Sequence, residues 1–331
     1  MNNFGYTHAT RPEDAVRLAG SPGATFIAGG TELLNWMRLG IEQPRNVVDL
    51  GPALALRGIR REGEMLLIGA LTTLAEIEAS KEVREAAPAL AEACLRAASP
   101  QIRNRASLGG NLLQKTRCAY FRAEAPIAWP CNKRAPGSGC AALEGHHERL
   151  AIYGWTRDCV ATQPSDPAVA LACLDAQLEI MGGKGRRTLP AREFHLTQEE
   201  AKDPRRENRL EAGELITALR VPLAGARRSA YVKVRERESY EYAIVSAAAA
   251  LELDGDRIRA ARVALGSVAQ RPWRLAAAER ALAGQPLERA ALQAALAGAL
   301  KDARPLAHNG FKVEIALNAA VHALEAAGRM S

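Results

Sequence analysis

The segment between Cys118 and Cys159 most constrains what this 331-residue chain can fold into. Cys118, Cys131, Cys140 and Cys159 follow one another at intervals of 13, 9 and 19 positions, among Pro, Gly, Asn, Ser and charged residues without helix or strand period. These intervals match neither the close CxxC pairs of a zinc ribbon nor the compact run of a bacterial ferredoxin. A segment of this length that cannot fold by burying apolar side chains needs another organiser. We therefore expect the four thiolates to wrap one metal centre.

The number of cysteines leaves the metal open, because four thiolates suit an iron–sulfur cube and also suit zinc. A third alternative is four incidental cysteines in a long loop, since free cysteines are usually small buried apolar residues. The two remaining cysteines fit that last description. Cys94 has helical spacing from Leu90, and Cys173 lies beside Val169 and Leu174 in an apolar helical stretch. We expect both to pack in the core and neither to bind metal.

Length and composition favour a protein of about two domains, since 48% of the residues are hydrophobic and can bury a large core. No apolar run approaches the length that crosses a membrane. The first fifteen residues have no basic and apolar export pattern, so we expect either a cytoplasmic location or periplasmic export with a partner's signal. Clustering four of six cysteines is typical of a metal site assembled in a reducing compartment rather than of a secreted disulfide scaffold.

The formal charge of +7 permits nucleic-acid binding. The densest basic region, from Lys184 to Arg228, has few aromatic residues for base stacking. A solvated or partner-facing surface explains this region better than a nucleic-acid groove does.

The order of patterns predicts two kinds of fold along the chain. Thr10 and Glu13 form a capping-box pattern that opens a helix ending at Gly20. A short strand, a helix from Thr31 to Gly40 and a second strand then make a β-α-β unit. The region from Arg227 onward alternates in strand fashion around an Asp254–Gly255 turn and ends in three helices, which predicts a separate α+β domain. A further hairpin with a glycine-rich turn is expected in AQLEIMGGKGRRTLP.

Two glycine pairs occupy positions where backbone N–H groups can meet a phosphate. The first, Gly29 and Gly30, ends a strand and opens a helix, and the second, Gly109 and Gly110, follows Ser107. Tight turns of this kind also use glycine for packing alone. Two such turns in one domain suit a pyrophosphate held between two lobes. Neither GxGxxG nor GxxxxGK[ST] occurs, so nicotinamide and ATP sites are unsupported.

The motifs AGGTELL, IRNRASLGGN and PSDPAVAL, in that order, resemble those of the FAD-binding subunits of molybdenum hydroxylases, which include xanthine and carbon monoxide dehydrogenases. The resemblance covers essentially the whole chain. NLLQKTRCAYFR, PCNKRAPGSGC and CVATQPSDPAVAL most resemble flavin subunits of bacterial periplasmic aldehyde oxidoreductases, which also carry a 4Fe-4S cluster. Flavin subunits of 4-hydroxybenzoyl-CoA reductases fit the cysteine spacing less well.

The resemblance implies an α+β fold: a two-lobed FAD-binding domain of the vanillyl-alcohol-oxidase type over residues 1–225, and a C-terminal domain over 226–331 with an antiparallel sheet and helices. The cluster-binding insertion would occupy about 115–160. The resemblance also implies two sets of contacts to the FAD pyrophosphate. One side of the FAD pyrophosphate would meet Ala28, Gly29, Gly30, Thr31, Glu32 and Leu33. The other side would meet Ser107, Gly109, Gly110 and Asn111.

By the same resemblance Asp166 would meet ribitol or ribose hydroxyls, and Ile216 and Lys233 would lie by the isoalloxazine ring. For Asp166 and Lys233 the alternative is a solvated surface charge. The 4Fe-4S ligands would be Cys118, Cys131, Cys140 and Cys159.

The implied function is electron transfer rather than bond-making on a substrate, and no catalytic residue is predicted. A molybdenum-cofactor chain would oxidise an aldehyde, a 2Fe-2S chain would relay the electrons, and FAD on this chain would pass them to an acceptor. The expected assembly is a heterotrimer or its dimer, without nucleic acid or membrane insertion. Two rivals are an autonomous FAD oxidase and a zinc-organised interaction module. The former needs its own substrate domain and often a covalent His or Cys link, for which we find no candidate.

Overall fold

A computed structural model describes residues 1–330. These residues form three sheets, whose strands are β1 (Gly5–His8), β2 (Ala24–Ile27), β3 (Asn46–Asp49), β4 (Ile59–Glu62), β5 (Met65–Gly69), β6 (Gln177–Gly182), β7 (Gly185–Pro190), β8 (Leu215–Pro222), β9 (Ser229–Val234), β10 (Val245–Asp254), β11 (Arg257–Gly266) and β12 (Trp273–Arg274).

The helices are α1 (Pro12–Ala19), α2 (Leu33–Arg38), α3 (Leu74–Ala79), α4 (Lys81–Ala86), α5 (Pro88–Arg96), α6 (Pro100–Arg103), α7 (Leu108–Leu112), α8 (Ala119–Arg122), α9 (Asp166–Cys173), α10 (Ala191–Phe194), α11 (Gln198–Ala201), α12 (Ala276–Leu282), α13 (Arg289–Ala299) and α14 (Phe311–Gly328). Short 3-10 turns occur at Leu54–Leu56 and Ala141–Leu143.

The first lobe is a parallel sheet in the order β1-β3-β2, and α2 connects β2 to β3, which confirms the predicted β-α-β unit. The predicted capping box at Thr10 is wrong. Helix α1 begins at Pro12, and Arg11 is its N-cap, in extended backbone with no side-chain capping bond. Proline suits the first helical position and keeps the residue before it extended, so Pro12 fixes the start of the helix and leaves Thr10 outside.

The second lobe is an antiparallel sheet in the order β4-β5-β8-β6-β7, including the predicted hairpin of β6 and β7. Its apolar core packs the sheet against α3, α5 and α9. Cys94 and Cys173 are fully buried in this core, as predicted. Burial raises the pKa of the Cys173 thiol to about 12, so it stays a neutral apolar side chain.

The last third is an antiparallel sheet in the order β12-β11-β10-β9, with α14 packed on β9 and β10. The predicted turn is present between β10 and β11, where Gly255 has a φ of +61°. Helices and antiparallel sheets in separate layers confirm the α+β class. The expected boundary at residue 225 falls in the turn between β8 and β9. Within residues 1–330 no helix combines the length and apolar character needed to cross a bilayer.

Candidate cofactor sites

A cleft of about 680 Å³ gathers most of the residues predicted to contact FAD. The predicted residues that line it are Ala28, Gly29, Gly30, Thr31, Glu32, Leu33, Ser107, Gly110, Asn111 and Asp166. Three predicted residues, Gly109, Ile216 and Lys233, do not line it. Its volume lies in the range of small-molecule sites, and it brings together chain segments that are far apart in sequence.

The first glycine turn needs its glycines for two different reasons. A Cβ on Gly29 would lie 1.9 Å from the backbone oxygen of Arg105, on the segment that leads into the second turn. Gly30 has a φ of +75°, which other residues rarely adopt. The missing Cβ at Gly29 lets the two turns approach closely, while the backbone of Gly30 turns the chain from β2 towards α2.

The second turn is organised by side-chain hydrogen bonds. Ser107 caps α7, with its Oγ accepting from the N–H of Gly110 at 3.3 Å. Asn111 Oδ1 accepts from Ser165 Oγ at 2.6 Å, which joins this turn to the start of α9. A Cβ on Gly109 would lie 2.9 Å from Ala70 Cβ, so this glycine serves packing on the side away from the cleft.

Asp166 and Lys233 form a buried ion pair, so the alternative of solvated surface charges is wrong. Lys233 Nζ lies 2.8 Å from Asp166 Oδ2, and the two side chains are 1% and 5% exposed. Lys233 also donates to the Arg96 carbonyl at 3.0 Å, and Tyr231 Oη donates to Asp166 Oδ1. Burial and the nearby carboxylate raise the pKa of Tyr231, which keeps its hydroxyl a donor. Asp166 lines the cleft. Lys233 does not line it, but its ion pair holds the Asp166 carboxylate in position.

Breaking this ion pair is expected to destabilise the protein strongly. Asp166→Asn or Lys233→Met should each lower the free energy of unfolding by about 3–5 kcal/mol, because each leaves a buried charge without its partner. The double variant should be less destabilised than the sum of the two. Urea unfolding monitored by circular dichroism measures all three. Additive losses would show that the two charges do not depend on each other.

The structure does not bring Ile216 to the cleft. Ile216 lies opposite Ile180 in β8, the central strand of its sheet, and is 3% exposed within the apolar core. The cleft instead receives Gly213 and Glu214 from the turn that precedes β8. Ile216 therefore lies a few positions from the cleft lining, with its side chain facing the apolar core.

The sequence patterns missed two buried donors that line the cleft, Trp36 and Arg117. Within residues 1–330, neither Trp36 Nε1 nor Arg117 Nε has a hydrogen-bond partner. Burial lowers the pKa of Arg117 to about 10, and its guanidinium lies 4.2 Å from the ring centroid of Tyr242. Buried donors usually have acceptors, so this pair fits a ligand rich in oxygen, such as FAD. The only feature of the sequence that could have indicated a role for Arg117 is its position directly before Cys118.

Glu32 lies in the cleft between two arginines. Its carboxylate accepts from Arg117 Nη2 and, at 3.0 Å, from Arg122 Nη2. Because Arg122 belongs to α8, this carboxylate ties the first glycine turn to the cysteine segment. Glu32 therefore balances charge within the cleft.

The four predicted metal ligands line one small cavity of about 20 Å³. Cys131 and Cys140 pair across an antiparallel bridge, and all four thiols are free. Cys118, Cys131 and Cys159 are buried, and Cys140 is partly exposed. Within residues 1–330 no group of three or more His, Cys, Asp or Glu side chains is arranged to hold a single metal ion. The shared cavity is what brings the four thiols together.

Backbone amides face the sulfurs. Burial raises the pKa of Cys118 to about 11, while the N–H groups of Phe121 and Tyr120 oppose the rise. Burial also raises the pKa of Cys140, and the N–H of Val160 opposes that rise. Amides directed at thiolate sulfur are a means by which proteins tune an iron–sulfur cluster. The donor set and its amides fit such a cluster.

The cleft and the cysteine cavity share one extended segment, Gln114–Cys118. Gln114 and Arg117 line the cleft, whereas Thr116 and Cys118 line the cysteine cavity. The two sites are therefore neighbours that share the wall formed by this short segment.

Comparison with known proteins identifies the family. Residues 2–224 match the model of the FAD binding domain in molybdopterin dehydrogenase, and residues 230–327 match the C-terminal domain of the carbon monoxide dehydrogenase flavoprotein. The chain belongs to the FAD-binding subunits of the molybdenum hydroxylases, and it is a subunit of an oxidoreductase that binds FAD.

Three individual proteins show which members of the family this chain is similar to. The chain is 41% identical over 319 residues, 96% of its length and 95% of the relative's, to the aldehyde oxidoreductase FAD-binding subunit PaoB of Escherichia coli K12. It is 29% identical to the carbon monoxide dehydrogenase medium chain of Hydrogenophaga pseudoflava, over 88% of this chain and 84% of that one. The solved structure of reconstituted carbon monoxide dehydrogenase from Oligotropha carboxidovorans superposes with a TM-score of 0.77 at 26% identity, over 100% of this chain and 99% of that one.

Proposed function

We propose that this chain is the electron-transfer subunit of a molybdenum-dependent aldehyde oxidoreductase, with FAD in the cleft and a 4Fe-4S cluster on Cys118, Cys131, Cys140 and Cys159. The observation that carries the proposal is the shared segment Gln114–Cys118, which makes the two sites neighbours. A relay needs its two redox groups close together. The aldehyde class is supported by the similarity to PaoB.

The flavin, when bound, supplies the redox chemistry, accepting and releasing two electrons. The chain's own residues bind and orient it. The two glycine turns leave backbone N–H groups accessible to a pyrophosphate, and Arg117 and Trp36 offer unpaired donors. Asp166, held by Lys233 and Tyr231, presents a fixed carboxylate for hydroxyl groups.

Three observations support a cluster at the cysteine cavity. Thiolates are soft ligands that suit iron–sulfur clusters. Backbone amides face the sulfurs, as they do around such clusters. All four free thiols line the same cavity, so a single centre can draw on them together.

The same proposal implies two partner chains, one with 2Fe-2S clusters and one with the molybdenum cofactor. The similarity to an FAD-binding subunit and to a medium chain supports this, because both names describe one chain of a larger enzyme. The reducing substrate would bind to a partner.

Reconstitution tests this proposal. The chain is expressed alone and with its genomic neighbours, and aldehyde-dependent dye reduction and co-purification are measured. The expected result is turnover only in the assembled complex, with this chain co-purifying and carrying FAD. Substantial aldehyde oxidation by the isolated chain would contradict the relay function.

A further inference from the structure

Lys133 is the one buried charged side chain that lines the cysteine cavity within residues 1–330. Its side chain is 3% exposed. The other charged residue on the cavity wall, Asp158, is exposed to solvent. Burying an ammonium group without need is costly, so its place beside four cysteines requires an explanation.

The contacts of Lys133 account for only part of its hydrogen-bonding capacity. Its Nζ donates to the Pro204 carbonyl at 2.5 Å and to Glu207 Oε1 at 2.7 Å. An ammonium group has three donors. Among residues 1–330 the third donor has no acceptor, and the side chain borders the cysteine cavity.

The charge of Lys133 reaches the cysteines. Lys133 and Cys159 line the same cavity of about 20 Å³, together with the other three cysteines, and charges in so small a space are poorly screened. This lysine therefore lies close enough to stabilise negative charge on sulfur. A carboxylate or a neutral side chain at this position could not do so.

Glu207 holds Lys133 in place and limits its effect. The Glu207 side chain is only 10% exposed, and its Oε2 also accepts from Lys115 at 3.3 Å. Burial raises the pKa of Glu207, but the two ammonium groups outweigh it and bring that pKa down to about 2, so the carboxylate stays ionised. Lys115 does not line the cysteine cavity. The network thus fixes one positive charge at the cavity wall with a carboxylate directly behind it.

Resting on the cluster proposed above, we propose that Lys133 sets the reduction potential of that cluster, and that Glu207 opposes it. A cluster ligated by four thiolates becomes more negative on reduction, so a nearby fixed cation favours the reduced form and raises the potential. Removing Glu207 should strengthen the effect of Lys133. The two residues should therefore shift the potential in opposite directions.

The test is an anaerobic redox titration of the assembled complex, with the cluster followed by electron paramagnetic resonance. Lys133→Met is expected to lower the ratio of reduced to oxidised cluster at least tenfold at a fixed potential. A tenfold change in this ratio corresponds to a shift of about 59 mV to lower potential for a one-electron couple. Glu207→Gln is expected to shift the potential upward. Lys133→Arg keeps the positive charge, so the reduction potential of this variant should stay close to that of the wild type.

Lys81→Met is the matched surface control, since the Lys81 side chain is 83% exposed on α4, and it should leave the potential unchanged. If Lys133→Met loses its iron, its potential cannot be measured. The potential of Glu207→Gln then tests the proposal, because this variant retains Lys133. An unchanged or raised potential in Lys133→Met, or a lowered one in Glu207→Gln, would overturn the role of Lys133. A wild-type complex without a cluster on this chain would instead overturn the proposed function.

Discussion

Serine substitution at Cys118, Cys131, Cys140 or Cys159 is expected to remove most of the iron from this chain. The serine oxygen is a harder ligand than thiolate and suits an iron–sulfur cluster poorly. The four sulfurs also line one cavity, so losing one leaves a corner of the cluster without its ligand. Iron per chain, measured after anaerobic purification, should fall several-fold in each variant.

Cys94→Ala and Cys173→Ala are the matched controls. Both cysteines are fully buried in the apolar core of the second lobe, away from the cysteine cavity. These variants should lose some stability through the small cavity they create, yet they should keep their iron. Loss of iron in Cys94→Ala, with all four cavity cysteines intact, would show that the ligand assignment is wrong.

Gly30→Val is expected to abolish FAD binding. Gly30 lies in the cleft with a φ of +75°, which a β-branched residue does not tolerate, and its Cβ would lie 3.2 Å from Leu34 Cδ1. The turn must shift, and the added side chain takes space that a pyrophosphate needs. Flavin absorbance per chain should fall at least tenfold, while circular dichroism reports whether the chain is folded.

Gly183→Ala controls for glycine replacement in general. A Cβ at Gly183, in the turn between β6 and β7, would meet no atom within 4 Å. This variant should retain its flavin. Full FAD content in a folded Gly30→Val protein would refute the placement of the pyrophosphate at the first glycine turn.

The sequence predicts those features that local chemistry determines. Glycines at strand-to-helix turns and cysteines in a segment without period predict cofactor sites, and the structure gathers three of the four glycines at the cleft and all four cysteines at one cavity. Local pattern also separates Cys94 and Cys173 from the other cysteines, because helical spacing identifies a core face. The β-α-β unit and the two hairpins follow from the same kind of signal.

Features that depend on tertiary packing are harder to predict. Ile216 follows the turn at the start of β8 by only a few positions. Its side chain is nevertheless buried in the core, whereas the turn lines the cleft. The pairing of Asp166 with Lys233 joins a helix start to a strand 67 positions later, and no local pattern reports it. Arg117 and Lys133 are single charges in a loop-like segment, and only the fold shows that each lines a candidate cofactor site.

The central claim is that one chain holds both FAD and a 4Fe-4S cluster. Metal, sulfide and flavin analysis of the anaerobically purified complex tests it most directly, after this chain has been separated from its partners under anaerobic conditions that preserve clusters. The expected content is about one FAD, four iron and four acid-labile sulfide per chain, with no stoichiometric zinc. Zinc in place of iron, or FAD without iron and sulfide, would contradict the claim.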